Sequence, residues 1–246
     1  MSKKAVVPLL TAATMVMMAL PVVGALRGGR AAATEPTPLP VCTGYVALTF
    51  DDGPTPTTRD LLELLDQRGV RATMFDIGSQ AEAYPELVKA QLDGGHAVEN
   101  HSQTHPDLRT ITTAEVTDEV SRAQAALRDA GANPSWFRAP YGYTDERVAA
   151  AVRAGGLQEV LWTTDTFDWK ESSVSEVVDR ALQVQPGGII LMHDGYKRTL
   201  QALPAILDGL AARGLCTGKI VPDTADRWPD GWADNTFRAK AGAWDA

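Results

Sequence analysis

The 246-residue sequence is poor in cysteine, histidine and positive charge, with 2 Cys, 4 His and 23 Lys+Arg against 31 Asp+Glu. Two cysteines cannot make a disulfide-dense scaffold. A formal charge of −8 argues against a nucleic-acid partner, which calls for a basic patch or stripe. Apolar content of 44% and charged content of 22% leave no disordered or collagen-like bias. The length suits one large domain or two small ones. With so few histidines, any cluster of them is informative.

The long apolar run lies at the start. Met1-Ser2-Lys3-Lys4 is positive, Ala5 to Ala25 is apolar apart from Thr11 and Thr14, and Ala31-Ala32-Ala33 follows. This layout predicts a signal peptide over residues 1–33, cleaved after Ala33 or after Ala25. The alternative is an uncleaved anchor, since the run reaches the roughly 20 residues needed to span a bilayer. Residues 34–41 hold Pro36, Pro38 and Pro40 and read as an extended linker. Residues 1–33 carry Lys3, Lys4, Arg27 and Arg30 and no acid, so cleavage takes the charge from −8 to −12. Such a surface suits a neutral or cationic substrate.

An exported chain can keep a disulfide. Cys42 and Cys216 flank the folded region, and joined they would close one long loop. The alternatives are two free thiols or lipidation of Cys42, for which Leu39-Pro40-Val41 is a poor signal.

Beyond Cys42, apolar runs alternate with helical patterns. Strands are predicted at Val46–Phe50, Val70–Phe75, His96–Glu99, Ser135–Arg138, Glu159–Thr163 and Gly188–Met192, with a seventh at Lys219–Val221. Between them lie helices around Leu61–Leu65, over Tyr84–Leu92, and from the capping box Thr112–Glu115 to Asp129. Thr144 is read as the cap of the next helix. The capping box Ser173–Glu176 opens one running to Val184. The last helix spans Leu200 to Arg213, bent or begun at Pro204, with Gly214 as its stop. Alternation of this kind predicts parallel βαβ units, closed as a barrel or open as a sheet. Asp51-Asp52, His101, Arg138, Asp165 to Asp168 and His193-Asp194 all fall just after a strand. In a β/α barrel those strand ends face the active site.

His101-Ser-Gln-Thr-His105 can bring two imidazoles together in a helical turn or a tight loop. Two His and one carboxylate form a catalytic metal set that leaves positions open for water and substrate. Adjacent buried carboxylates such as Asp51 and Asp52 repel unless a cation divides them, which suggests one on the metal and one free as a base.

Together, Thr49-Phe-Asp-Asp-Gly-Pro54, His101-Ser-Gln-Thr-His105, Arg138-Ala-Pro-Tyr-Gly142, Asp165-Thr-Phe-Asp-Trp169 and Leu191-Met-His193 resemble the ordered motifs of the polysaccharide deacetylases. This is the family with NodB homology, carbohydrate esterase family 4. The resemblance runs from Gly44 to Val221 and is nearest to secreted actinobacterial acetylxylan-esterase-like and chitooligosaccharide-deacetylase-like members. It implies a single α/β domain over residues 42–221, a distorted (β/α) barrel of about seven parallel strands, with 222–246 as a tail. It implies a divalent metal, zinc first and cobalt second, held by Asp52, His101 and His105. Asp51 would be the general base, oriented by Arg138, and the backbone N–H of Tyr141 would serve the oxyanion. His193 would be the general acid, oriented by Asp168, with Trp169 and Leu191 lining the substrate groove and the acetyl pocket.

The expected partner is an acetylated polysaccharide or oligosaccharide: N-acetylated chitooligosaccharide, peptidoglycan GlcNAc, or O-acetylated xylan. The chain is expected to be a secreted monomer in the extracellular space or cell wall, with no stable membrane association after cleavage. The alternatives are a hydrolase of a non-sugar amide or cyclic imide, and a non-catalytic glycan-binding protein of the same fold. Two departures from the family pattern are Ala139 in the third motif and Thr163-Thr164 before Asp165, where close relatives often carry an acid. Asp76 is a candidate extra acid in the site. Asp194 reads as a helix cap or a support to the site, His96 as structural, and Trp228, Trp232 and Trp244 as a cover for the open side or a weak ligand contact.

Overall fold

The computed structural model describes residues 42–223 and 239–244. The predicted signal peptide and linker, Trp228 and Trp232 lie outside the described residues. The chain runs β1 (Gly44–Gly53), α1 (Thr58–Gln67), β2 (Thr73–Asp76), α2 (Gly78–Ala83), α3 (Pro85–Asp93), β3 (Ala97–Asn100), α4 (Thr113–Asp129) and β4 (Trp136–Phe137). It continues through α5 (Glu146–Ala154), β5 (Gln158–Glu159), β6 (Thr164–Asp165), α6 (Val174–Ala181), β7 (Ile189–His193), α7 (Lys197–Ala212), β8 (Leu215–Thr217), β9 (Lys219–Pro222) and β10 (Ala239–Gly242).

The main sheet is parallel throughout, in the order β5-β4-β3-β2-β1-β7-β6, with β8 against the start of β1. It curls into the distorted barrel expected from the alternation, with a gap between β5 and β6. The predicted fifth strand is therefore two strands on opposite sides of that gap. The Thr163 hydroxyl bonds both the N–H and the C=O of Ile189, pulling this segment from the β4 side to β7. The predicted seventh strand exists as β9, but it pairs antiparallel with β10 outside the main sheet, and β8 pairs β1 instead.

Side chains of β1 alternate as a strand's must. Val46, Leu48 and Phe50 face outward and pack under α1, α6 and α7 with Leu61, Leu65, Val177, Leu203, Ile206 and Leu210. Ala47 faces the barrel interior with Phe75, Trp136, Val160 and Ile189, and Thr49 and Asp51 share that inner side. Ile220, Ala239 and Ala241 close the lower end of this interior.

Both capping boxes form, on α4 and α6. Helix boundaries differ from expectation in several places. Asp145, not Thr144, caps α5 by accepting from the Val148 N–H at 2.8 Å. The helix after Ser173 stops at Ala181. The last helix starts at Lys197 and carries Pro204 inside it. A short helix, α2, precedes the helix expected over Tyr84–Leu92. Cys42 and Cys216 are bonded, across a sequence separation of 174. Among the described residues no helix is long and apolar enough to cross a membrane.

Candidate active site

The candidate residues converge at the C-terminal ends of the strands. Asp51 lies inside the barrel, 3% exposed, opposite His193 across the β1–β7 ladder. By alternation Asp52 would point away from Asp51. The β1–β2 register breaks between Asp51 and Gly53, and Asp52 takes φ 71°. This bulge turns Asp52 back over the rim, so both neighbours face one site.

Asp52 Oδ1 lies 3.5 Å from His101 Nε2 and 3.2 Å from His105 Nε2. One donor atom from each of the three residues falls within 4.8 Å of the others. His101 Nδ1 lies 2.8 Å from the Arg138 carbonyl, which can only accept, so Nδ1 carries the proton and Nε2 presents a lone pair. Asp52 Oδ1 is buried and has no hydrogen-bond partner. Lone pairs converging on an orphaned carboxylate oxygen repel unless a cation lies among them. The donor set therefore fits a divalent metal with positions left open. The imidazoles also act on Asp52 itself. Burial would raise its pKa, but the positive charge that His101, His105 and His193 carry when protonated outweighs that and holds it at about 2.

Arg138 is fully buried and donates from Nη1 to Asp51 Oδ1 at 2.6 Å and to Thr49 Oγ1 at 2.8 Å. Its Nη2 donates to the Leu161 carbonyl at 3.2 Å, and its guanidinium lies 4.0 Å from the centre of the Phe75 ring. A charge-assisted bond in so dry a place fixes the carboxylate firmly. The other oxygen, Asp51 Oδ2, faces the trio, 3.8 Å from His101 Nε2.

On the opposite wall, His193 Nδ1 donates to Asp168 Oδ1 at 2.8 Å. Asp168 is fully buried, and its Oδ2 accepts from the His193 N–H at 2.8 Å and from Thr199 Oγ1 at 2.6 Å. Burial pulls the His193 pKa down. The hydrogen bond and charge of Asp168, with Asp51 and Asp52 beyond, outweigh it, so the net shift is upward. Such an imidazole holds its proton until a leaving group needs it.

Tyr141 follows β4 at φ 61°, in a tight turn over Pro140–Gly142, and its ring packs edge-on against His105 at 4.5 Å. Leu191 is buried on the inner side of β7, while Trp169, Tyr141, Tyr143 and Tyr196 are exposed large apolar side chains around the rim. Asp165 Oδ1 accepts from the Phe167 N–H at 2.7 Å and shapes the turn that presents Asp168 and Trp169.

Other candidates fall elsewhere. Asp76 points away from the site, to the helix layer, where Gln91 Nε2 donates to it at 3.3 Å; burial pushes its pKa well up. Asp194 caps no helix. It accepts from the hydroxyls of Thr55 and Thr58 and so ties the loop after β1 to the end of β7. His96 is structural, its Nδ1 accepting from the Ala72 N–H at 3.1 Å. Trp244 sits far from the rim, within 6.0 Å of Arg71 at the lower end of the barrel, so it neither covers the open side nor meets a ligand there. Glu119 and Thr199 carried no motif signal, since each acts on a motif residue from a helix distant in sequence.

A set of three donor atoms, a buried carboxylate and a carboxylate-backed imidazole on one rim fit the class of hydrolases that carry out acyl transfer. Residues 40–160 match the family described as polysaccharide deacetylase. The chain is 41% identical over 186 residues to a bifunctional xylanase/xylan deacetylase of Cellvibrio japonicus, covering 74% of this chain and 28% of that protein. It is 40% identical over 190 residues to a chitooligosaccharide deacetylase of Bradyrhizobium, covering 70% of this chain and 87% of that one. A family 4 carbohydrate esterase from Streptomyces lividans, solved in complex with acetate, superposes with a TM-score of 0.73 at 40% identity, covering 82% of this chain and 98% of that one. The chain belongs to the polysaccharide deacetylase family, carbohydrate esterase family 4.

Proposed function

We propose that this chain is a secreted, monomeric deacetylase that requires a divalent metal, zinc or else cobalt, and releases acetate from an acetylated glycan. The convergence of the Asp52–His101–His105 trio, the Asp51–Arg138 pair and the His193–Asp168 pair on one rim carries this reading. The relatives named above support a glycan as substrate. The four exposed aromatics around the rim offer faces on which sugar rings can stack.

Asp52, His101 and His105 would hold the metal. When bound, such an ion polarises a carbonyl and makes water a stronger acid. Asp51 then takes a proton from the attacking water through Oδ2, while Arg138 holds Oδ1. The Tyr141 backbone N–H donates to the oxygen that gains charge. His193 carries its transferable proton on Nε2, because Nδ1–H is committed to Asp168, and gives it to the departing amine or hydroxyl. Leu191 and Trp169 bound the space for the acetyl methyl and the sugar. Nothing in this sequence of proton movements distinguishes an N-acetyl from an O-acetyl group.

The test is acetate release from chitooligosaccharides, peptidoglycan and acetylxylan, measured side by side after chelation and again with Zn²⁺ or Co²⁺ restored. Metal-restored release from at least one glycan is expected. No release from any glycan, with turnover of a non-sugar amide or imide, would overturn the substrate reading. Glycan binding without any turnover would point to the non-catalytic alternative.

A further inference from the structure

The loop His101–His105 that carries both imidazoles belongs to no helix or strand. Its backbone is held from outside. The His101 N–H donates to the Asp76 carbonyl at 3.0 Å. The Ser102 N–H donates to Asn100 Oδ1 at 2.9 Å, and the His105 N–H to Ser102 Oγ at 3.0 Å. The two middle N–H groups, of Gln103 and Thr104, both donate to one atom, Glu119 Oε2, at 2.9 and 2.8 Å. Thr104 Oγ1 donates to the other oxygen, Oε1, at 2.7 Å.

Glu119 thus meets three donors that lie between the two histidines: the Gln103 and Thr104 N–H groups and the Thr104 hydroxyl. On the far side, the Gly78 and Ser79 N–H groups at the start of α2 donate to the Ser102 and Gln103 carbonyls at 2.9 and 3.0 Å. The loop is gripped between a helix start and a carboxylate. It needs the grip, because Ser102 and His105 both sit at positive φ, 65° and 61°, a conformation that non-glycine residues avoid.

We propose that Glu119 is a positioning residue for the metal centre: from α4 it clamps the Gln103–Thr104 peptides and so sets the distance and aim of His101 and His105. This rests on the reading of the trio as a metal site. The carboxylate touches neither substrate nor metal ligand side chains. It acts on the backbone that carries them, and partners at this remove typically change metal affinity about 10- to 100-fold when removed.

The test compares wild type with Glu119→Ala, Glu119→Gln and Asp118→Ala. Zinc dissociation constants are measured on chelator-stripped protein by competition with a chromophoric chelator, beside kcat, KM and the melting temperature without metal. Glu119→Ala is expected to weaken zinc binding about 10- to 100-fold and to lower kcat at saturating zinc while KM stays near the wild-type value. Glu119→Gln keeps an oxygen for the two N–H groups and an amide that can donate to Thr104 Oγ1, so it should return zinc affinity to within about threefold of wild type. That rescue separates clamping from a distant effect of negative charge. Asp118→Ala removes a neighbouring carboxylate of the same helix and should leave zinc affinity unchanged.

Equal zinc affinity in wild type and Glu119→Ala would overturn the proposal, as would equal weakening in the Ala and Gln variants. If Glu119→Ala does not fold, Thr104→Val, which removes only the Oε1 contact, is expected to weaken zinc binding severalfold, and no change there would overturn it. A wild type that binds no zinc would instead defeat the metal-site reading itself.

Discussion

At the C-terminal ends of the barrel strands, Asp52, Ser102, His105, Tyr141 and Phe167 carry positive φ, and they are all the non-glycine residues to do so among those described. The same end holds the buried Asp51, Arg138 and Asp168. The opposite end is built from small and apolar side chains, Ala47, Ile220, Ala239 and Ala241, from the β8–β1 pairing, and from the Cys42–Cys216 bond. Backbone strain of this kind costs stability, and among the described residues it is confined to the end where chemistry is proposed. The other end supplies the burial and the cross-link that offset that cost. Changes at the rim should therefore alter turnover with little loss of stability, and changes at the base should do the reverse.

The sharpest break would come at the trio. His105→Ala and Asp52→Ala are expected to abolish both zinc binding and acetate release while the melting temperature of the metal-free protein holds or rises. Retained turnover in either would dissolve the distinction between the two ends. Next comes the base: Cys42→Ser with Cys216→Ser frees a loop of 174 residues, and the chain-entropy argument puts the loss at about 5 kcal/mol. Denaturant melts should show that loss, and kcat should stay at the wild-type value.

Glu99 sharpens the comparison from the barrel interior. Burial pushes its pKa from 4.5 up to about 7, against the N–H groups of Trp136 and Ser135, which pull it down. The stability tied to its protonated form is complete below pH 4.5 and is lost as pH rises through about 7. Glu99→Gln should match wild type near pH 4 and exceed it by about 3 kcal/mol near pH 8. Denaturant midpoints across that range check it, and a constant difference between the two proteins would contradict it. The smallest effect expected is at His193. Its pKa is raised against burial by Asp168, so Asp168→Asn should move the alkaline limb of the kcat profile to lower pH, besides lowering the plateau.

Much of this was legible in the sequence because it is local. Thr112–Glu115 and Ser173–Glu176 specify their helix starts within four residues, and both form. The alternation along β1 and β7 and the polar residues at strand ends were enough to gather Asp51, His101, Arg138 and His193 at one rim. What escaped depends on partners distant in the chain. The split of Glu159–Thr163 follows from Thr163 bonding Ile189 across the gap. Helix α2 begins at Gly78 with no side-chain cap, so its start left no mark. The bulge that turns Asp52 beside Asp51 is a matter of register with β2, and the grip of Glu119 on the histidine loop spans fifteen residues and more.

The most direct test of the account is a zinc titration of the chelator-stripped protein in which bound metal and acetate release are read together. The account predicts no release before zinc is added, then release rising in proportion to bound metal to a plateau at one equivalent, with Asp51→Asn binding the same equivalent and turning over about 10²- to 10⁴-fold more slowly. Full acetate release from the stripped protein, or wild-type turnover by Asp51→Asn, would contradict it.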